Sequence, residues 1–278
     1  MSAPKPPPLS AGPARPADGN ARRVRVLLPI VVLALGVLAW DLVVRINGIP
    51  PYVLPGPGAV FSTLIADWSI LFQSLLTTLT TTLQGFIAAA VGGIGLALLF
   101  NQSKWLEYSL LPYAIVLQVT PVIAIAPLLL IYLPQQTAVI VCAWIVAFFP
   151  VLSNTTLGLN SVDRNLAGLF QLYGASRAQT LRYLKLPAAL PYILGGLRIA
   201  GGLSLIGAVV AAIAAGSAGA GSGLAYRIAE SSYRLNIPRM FAALLLLSAA
   251  GIVIYMLLAL TSHLLLRRWH ESALGKEN

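Results

Sequence analysis

Long apolar runs and short polar interruptions alternate along this chain. Six runs, residues 24–44, 71–100, 108–133, 137–159, 188–213 and 240–266, are dominated by Leu, Ile, Val, Ala and Gly. Each reaches about the 20 residues that an α-helix needs to cross the hydrocarbon of a bilayer. The pattern predicts an all-α, polytopic membrane helix bundle of about six transmembrane helices. The runs are not uniformly apolar. In the second, Gly85, Ala89, Gly93 and Ala97 recur every four residues, and in the fifth Gly196, Ala200, Ser204 and Ala208 do the same. Small residues at that spacing let helices approach closely in lipid. Thr77, Thr81 and Gln84 share a second face of the second run. The third carries Gln118, Thr120, Pro121 and Pro127, and Pro121 predicts a kink. Arg198 lies about two turns inside the fifth and is expected to snorkel or pair with a neighbour.

The interruptions have their own patterns. Residues 1–23, rich in Pro, Ala and Gly, read as a disordered tail. Residues 46–70 hold Pro50, Pro51, Pro55 and Pro57, a stiff connection with a short interfacial helix expected at 59–65. Residues 214–223 are too glycine-rich for a span, and 226–239 read as an exposed helix-loop with Arg227, Glu230, Arg234 and Arg239. The most structured interruption is 160–187. Leu166, Leu169, Phe170 and Tyr173 fall three to four apart and make one apolar face. Gly174 sits where a left-handed helix stop belongs. Ser176 and Gln179 have capping-box spacing and open a second short helix. Pro187 is expected to end it. The segment reads as a helical knuckle, and its pattern fits a docking surface and an ordinary charged loop alike.

Composition agrees with the pattern. The 278 residues are 58% hydrophobic and 9% charged, with mean hydropathy +0.84, whereas a soluble domain carries roughly 25% charged residues. The net charge of +10 would attract nucleic acid in a soluble protein, but here the cations flank apolar runs. Counted by loop, thirteen Lys and Arg fall on the side of the termini and of segment 160–187. Four, Arg45, Arg227, Arg234 and Arg239, fall on the other. The positive-inside rule makes the termini and segment 160–187 cytoplasmic. The expected organisation is a cytoplasmic tail (1–23), a membrane domain (24–268) and a cytoplasmic C-terminal tail (269–278).

Catalytic signatures are missing from the sequence. His263 and His270 have no acid placed beside them, no metal-ligand spacing exists, and no glycine-rich loop ends in Gly-Lys-Ser/Thr. The lone Cys142 lies inside an apolar run and is expected to be a small packed or lipid-facing residue. The sequence therefore predicts no enzyme, no cofactor and no metal. Uncharged polar residues in the spans, Thr77, Thr81, Gln84, Gln118, Thr120 and Asn154, are the candidates for a translocation path. Hydrogen bonding between helices is the alternative use of each.

Segment 160–187 resembles the cytoplasmic loop of binding-protein-dependent ABC importer permeases. That loop carries Glu-Ala-Ala, three residues, Gly, and Leu-Pro some eleven residues later. Gly174 and Leu186-Pro187 match, and the flanks Tyr173 to Arg177 and Leu186 to Ile193 resemble the nitrate/sulfonate/taurine-type branch. Gly168, Leu169 and Phe170 stand where the family has Glu-Ala-Ala, and Ala212 stands where it often has an acid. The resemblance implies that Leu169, Phe170, Tyr173, Gly174, Ala175, Ser176, Arg177, Leu186 and Pro187 couple to an ATPase. It implies a cytoplasmic ABC ATPase pair, an extracytoplasmic solute-binding protein and a homodimer in the lipid of a bacterial inner membrane, with no nucleic-acid partner. The cargo would be a small polar solute, nitrate-, sulfonate- or taurine-like, moved by alternating access. An ATP-independent secondary transporter is the rival, though such proteins usually carry intramembrane carboxylates.

Overall fold

The structure, a computed structural model, describes residues 19–216 and 222–267. The expected C-terminal tail and most of the expected N-terminal tail lie outside the described residues. Helix α1 spans Gly19–Ile46, so residues 19–23 are helical rather than part of a disordered tail. Helix α2, Pro57–Ala66, is the short helix expected at 59–65, opened by proline in its first turn. Helix α3 runs Trp68–Gln102. The third apolar run forms two helices, α4 (Lys104–Val119) and α5 (Val122–Tyr132), set at 99° to each other. Thr120 and Pro121 are extended, with ψ of 123° and 117°. The expected kink is thus a break, because a residue before proline is pushed out of the helical region. Helix α6 is Gln135–Leu159, α7 is Arg164–Leu172 and α8 is Arg177–Thr180. A π turn, Leu181–Lys185, joins α8 to α9, Leu186–Ala215. Helices α10 (Leu224–Tyr233) and α11 (Ile237–Leu266) complete the described chain. Five helical segments are long and apolar enough to cross a membrane, and the α4–α5 pair makes a sixth if counted as one span.

The core is the seam between α3, α6 and α9. Lipid is as apolar as the side chains, so close packing rather than escape from water holds it. The small-residue faces do this work. A Cβ on Gly85 would lie 2.5 Å from the Cβ of Ala143, and one on Gly93 would lie 2.9 Å from Val151. On α9, a Cβ on Gly207 would lie 2.7 Å from the carbonyl oxygen of Cys142, and one on Gly196 would lie 3.0 Å from that of Pro150. Phe100, Val151, Leu152 and Leu159 fill the space around these contacts. Cys142 is fully buried in the same seam, as a packed residue rather than a lipid-facing one. Ser204 donates to the carbonyl oxygen of Thr82 at 2.9 Å, tying α9 to α3.

Helix α1 stands at the periphery. Its residues Leu33 and Leu38 are 71% and 63% exposed, and Trp40 meets the bundle by stacking on Phe241 of α11 at 5.8 Å. The expected exposed helix-loop at 226–239 is instead packed. Leu224 and Ser231 of α10 are buried, and the backbone N–H of Leu224 donates to Thr78 Oγ1 at 2.9 Å. Arg227 donates to Ser74 Oγ at 3.1 Å and pairs with Glu230 at 2.9 Å, which also holds Arg234 at 3.1 Å. Arg239 pairs with Asp67 at 2.6 Å. Charges that looked solvated in sequence thus close one end of the bundle, because each finds its partner on a distant helix or one turn away.

Candidate functional site

At the other end of the bundle the chain leaves α6, folds into α7 and α8, and returns as α9. Both ends of α7 are closed by local hydrogen bonds. Asp163 Oδ1 accepts from the N–H of Asn165 at 2.7 Å. At the far end Gly174 adopts φ +68°. Its N–H donates to Gln171 O at 3.0 Å, and that of Ala175 donates to Phe170 O at 2.9 Å. This pair of bonds is the Schellman arrangement, which needs a residue without Cβ at the left-handed position. The capping box is present: Gln179 N–H donates to Ser176 Oγ at 3.2 Å and Ser176 N–H to Gln179 Oε1 at 2.7 Å. The knuckle therefore has one defined shape.

That shape stands off from the bundle. No residue of α7 is buried. Leu166, Leu169, Leu172 and Tyr173 are exposed, Leu172 and Tyr173 to 85% and 84%, while Phe170 and Ala175 are half-buried. Gly168 faces open space, with no atom within 4 Å of where a Cβ would be. Arg177 is exposed, and Arg182 lies 5.7 Å from the ring of Tyr183.

The second helix of the knuckle does not end at Pro187. It runs on through the π turn, where the N–H of Leu186 donates five residues back to Leu181 O, into the core helix α9. Arg177–Ala215 is one continuous 39-residue helical segment. Proline lacks an N–H and crowds the preceding turn, and the wider π turn gives that crowding room. At 1.5 Å per residue the segment is about 58 Å long, nearly twice the hydrocarbon thickness. Leu186 and Pro187 thus sit where the knuckle becomes the core. Lys185, in the π turn ahead of the membrane-spanning part, donates to Asn101 Oδ1 at 3.1 Å and anchors this junction to the end of α3. Burial, and then repulsion from Lys104, lowers its pKa below the usual lysine value. The sequence reading missed this junction. Its signal was the pair Pro187 and Pro191, four apart on one helix face.

The path candidates are not gathered into one channel within a single chain. Thr81 is buried on the α3 seam, and Thr77 is half-buried. Four of the six hydrogen-bond to their own helix backbone, not to another helix. Thr77 donates to Gln73 O (3.2 Å), Thr81 to Thr77 O (3.1 Å), Thr120 to Val116 O (2.6 Å) and Asn154 to Pro150 O (2.8 Å). Gln84 and Gln118 are exposed at the bundle surface and make no hydrogen bond among the described residues. Arg198 neither snorkels free nor finds a carboxylate. Its guanidinium lies 5.9 Å from the ring of Tyr255 on α11, and its Nε is buried without a hydrogen-bond partner among the described residues.

A multi-span helix bundle carrying a capped knuckle rigidly joined to its core is the form of a transport permease subunit. Residues 89–270 match the family described as binding-protein-dependent transport system inner membrane component, and the chain belongs to that family. It is 34% identical over 88% of its length, and 90% of the relative's, to the riboflavin transport system permease protein of Chloroflexus aurantiacus. It is 32% identical over 84% of its length, and 92% of the relative's, to the formylaminopyrimidine transport permease protein of Halalkalibacterium halodurans. The nitrate import permease protein of Synechocystis is 31% identical over 71% of this chain and 75% of its own. A solved amino acid ABC transporter chain, at 20% identity, superposes with a TM-score of 0.61 over 73% of this chain and 97% of its own, which shows the fold. The resemblance read from the knuckle is thus correct at the level of the family. The chain is a multi-pass inner-membrane permease subunit. The comparisons lend no support to a secondary transporter.

Proposed function

We propose that this chain is the membrane half of an ATP-driven importer, working as two copies with a cytoplasmic ATPase pair and an extracytoplasmic solute-binding protein. The observation that carries the reading is the continuous helix from Arg177 to Ala215, whose outer turns form the exposed knuckle and whose inner turns pack against α6. When the ATPase pair closes on nucleotide, the two knuckles move together. Each displacement passes along α9 into the seam and re-opens the path toward the binding protein. Leu169, Phe170, Tyr173, Gly174, Ala175, Ser176 and Arg177 make or shape the docking face, and Leu186 and Pro187 carry the motion into the bundle. Termini and knuckle face the cytoplasm, in keeping with the cation bias.

The exposed Gln84 and Gln118 are the side chains that a second copy would turn into path lining, since a lipid-exposed amide is unfavourable. An uncharged path suits a small polar solute and leaves selectivity to the binding protein. The relatives' names range from nitrate to riboflavin, which fits weak selection in the membrane. The test is uptake by proteoliposomes holding the permease, its ATPase and its binding protein. Uptake should follow ATP hydrolysis and ignore dissipated ion gradients. Uptake without the ATPase, abolished by ionophores, would refute the reading.

A further inference from the structure

The knuckle's surface specifies its partner more narrowly than the family does. From Ser161 to Lys185 there is a single carboxylate, Asp163, and it is engaged in capping α7. Arg164, Arg177 and Arg182 are exposed and form no ion pair among the described residues. Between these cations lies the outward apolar stripe of Leu166, Leu169, Leu172 and Tyr173. An apolar stripe ringed by unpaired cations, held out from the bundle, is a surface awaiting cover. We infer that it seats in a groove of the nucleotide-hydrolysing subunit whose floor is apolar and whose rim is acidic.

Charge complementarity names the rim: interfaces set opposite potentials against each other and are penalised for like ones. Leu172 and Tyr173, more than four-fifths exposed, name the floor, because both lose apolar area to water unless covered. Fixed shape names a protein rather than a lipid surface. A bilayer needs apolar area and positive charge, but it does not need a Schellman stop and a capping box to hold two short helices in one relation. This inference rests on the reading of the chain as an importer permease.

The experiment uses the whole permease–ATPase complex in nanodiscs. Gly168 is open on every side, so Gly168→Glu and Gly168→Lys both fit and both improve helix propensity by similar amounts. Their difference isolates charge. ATPase retention is measured against salt. Gly168→Glu is expected to weaken retention about fivefold, the change that ~1 kcal/mol makes, and Gly168→Lys to leave it equal or tighter. Leu172→Ser should weaken it about tenfold with the salt dependence unchanged. Equal effects of Glu and Lys, or tighter binding with Glu, overturn the inference while the importer reading stands. A Glu–Lys difference seen only in phosphatidylglycerol discs and absent in phosphatidylcholine discs means that the knuckle reads lipid, and overturns it too. A parent chain that retains no ATPase at any salt overturns the importer reading and this inference together.

Discussion

Gly207 offers the sharpest check on how the core is held. A Cβ there would sit 2.7 Å from the carbonyl oxygen of Cys142, 2.9 Å from the Cα of Ala143 and 3.1 Å from the carbonyl carbon of Cys142. All three are backbone atoms of α6, so no side chain can rotate away. Relief requires the α6–α9 seam to open by several tenths of an ångström along its length. Overpacking of this kind costs about 1–3 kcal/mol. Gly207→Ala also gains roughly 1 kcal/mol of helix propensity, which would blur the result if read alone. Gly202 and Gly195 lie on the same helix, and a Cβ on either meets nothing within 4 Å. Gly202→Ala and Gly195→Ala gain the same propensity and meet no obstacle. The stability gap between Gly207→Ala and these controls should therefore be about 1–3 kcal/mol. Thermal unfolding in detergent, followed by loss of the monodisperse elution peak, reads the order of the three. If Gly207→Ala unfolds with or above the controls, α9 does not lie against α6 as described.

Other perturbations probe the two ends of the bundle. Ser176→Ala removes one bond of the capping box and should cost about 1 kcal/mol of local helix stability, seen as faster hydrogen exchange at 177–181 and not elsewhere. Gly174→Val places a β-branched residue at φ +68°. It should uncouple ATP hydrolysis from transport while the chain still folds, measured as the ratio of solute moved to ATP consumed. Asp67→Asn leaves Arg239 without its 2.6 Å partner. Both side chains are about a quarter exposed, so the loss should be about 1 kcal/mol after solvent screening, read as a lower thermal midpoint. Gln84→Leu and Gln118→Leu should keep or raise that midpoint yet slow uptake, and unchanged uptake would remove both from the path.

What the sequence disclosed and what it hid divide along a physical line. The knuckle's caps at Asp163, Gly174, Ser176 and Gln179 are bonds between residues two to five apart, and such bonds are written in short spacings. The Gly85–Ala97 and Gly196–Ala208 faces were legible for a related reason: a four-residue repeat of small side chains has one main use in lipid. Pro187 misled because its local rule, helix stop, competes with tertiary packing. Once α9 is held along α6, a π turn is less costly than ending a helix whose inner half is already fixed. Residues 226–239 misled in the same way, for no spacing shows that Arg227 meets Ser74 or that Arg239 meets Asp67 across the fold. The polar span residues fell outside both readings considered, since most satisfy themselves on their own backbone.

The continuity of α8 and α9 also decides where compliance in the lever lies. Within Arg177–Ala215 the backbone departs from regular bonding at the π turn, and Pro187 and Pro191 each remove a donor from the two turns that follow. Below that region Gly196, Gly207 and Ala208 are locked against α6 at contact distance, and above it the capping box fixes the knuckle. Bending is therefore concentrated in residues 181–191. Replacing both prolines with alanine restores two backbone bonds and stiffens only this stretch. If coupling depends on a rigid strut, the double variant keeps or improves the ratio of solute moved to ATP consumed. If the knuckle must tilt relative to the bundle during the cycle, the ratio falls although ATPase binding is unchanged. The bent region is tied to α3 by Lys185 and Asn101, so tilting there must break a bond that a rigid strut would keep. Lys185→Met should accordingly impair the strut and spare the hinge, and the two variants together choose between them.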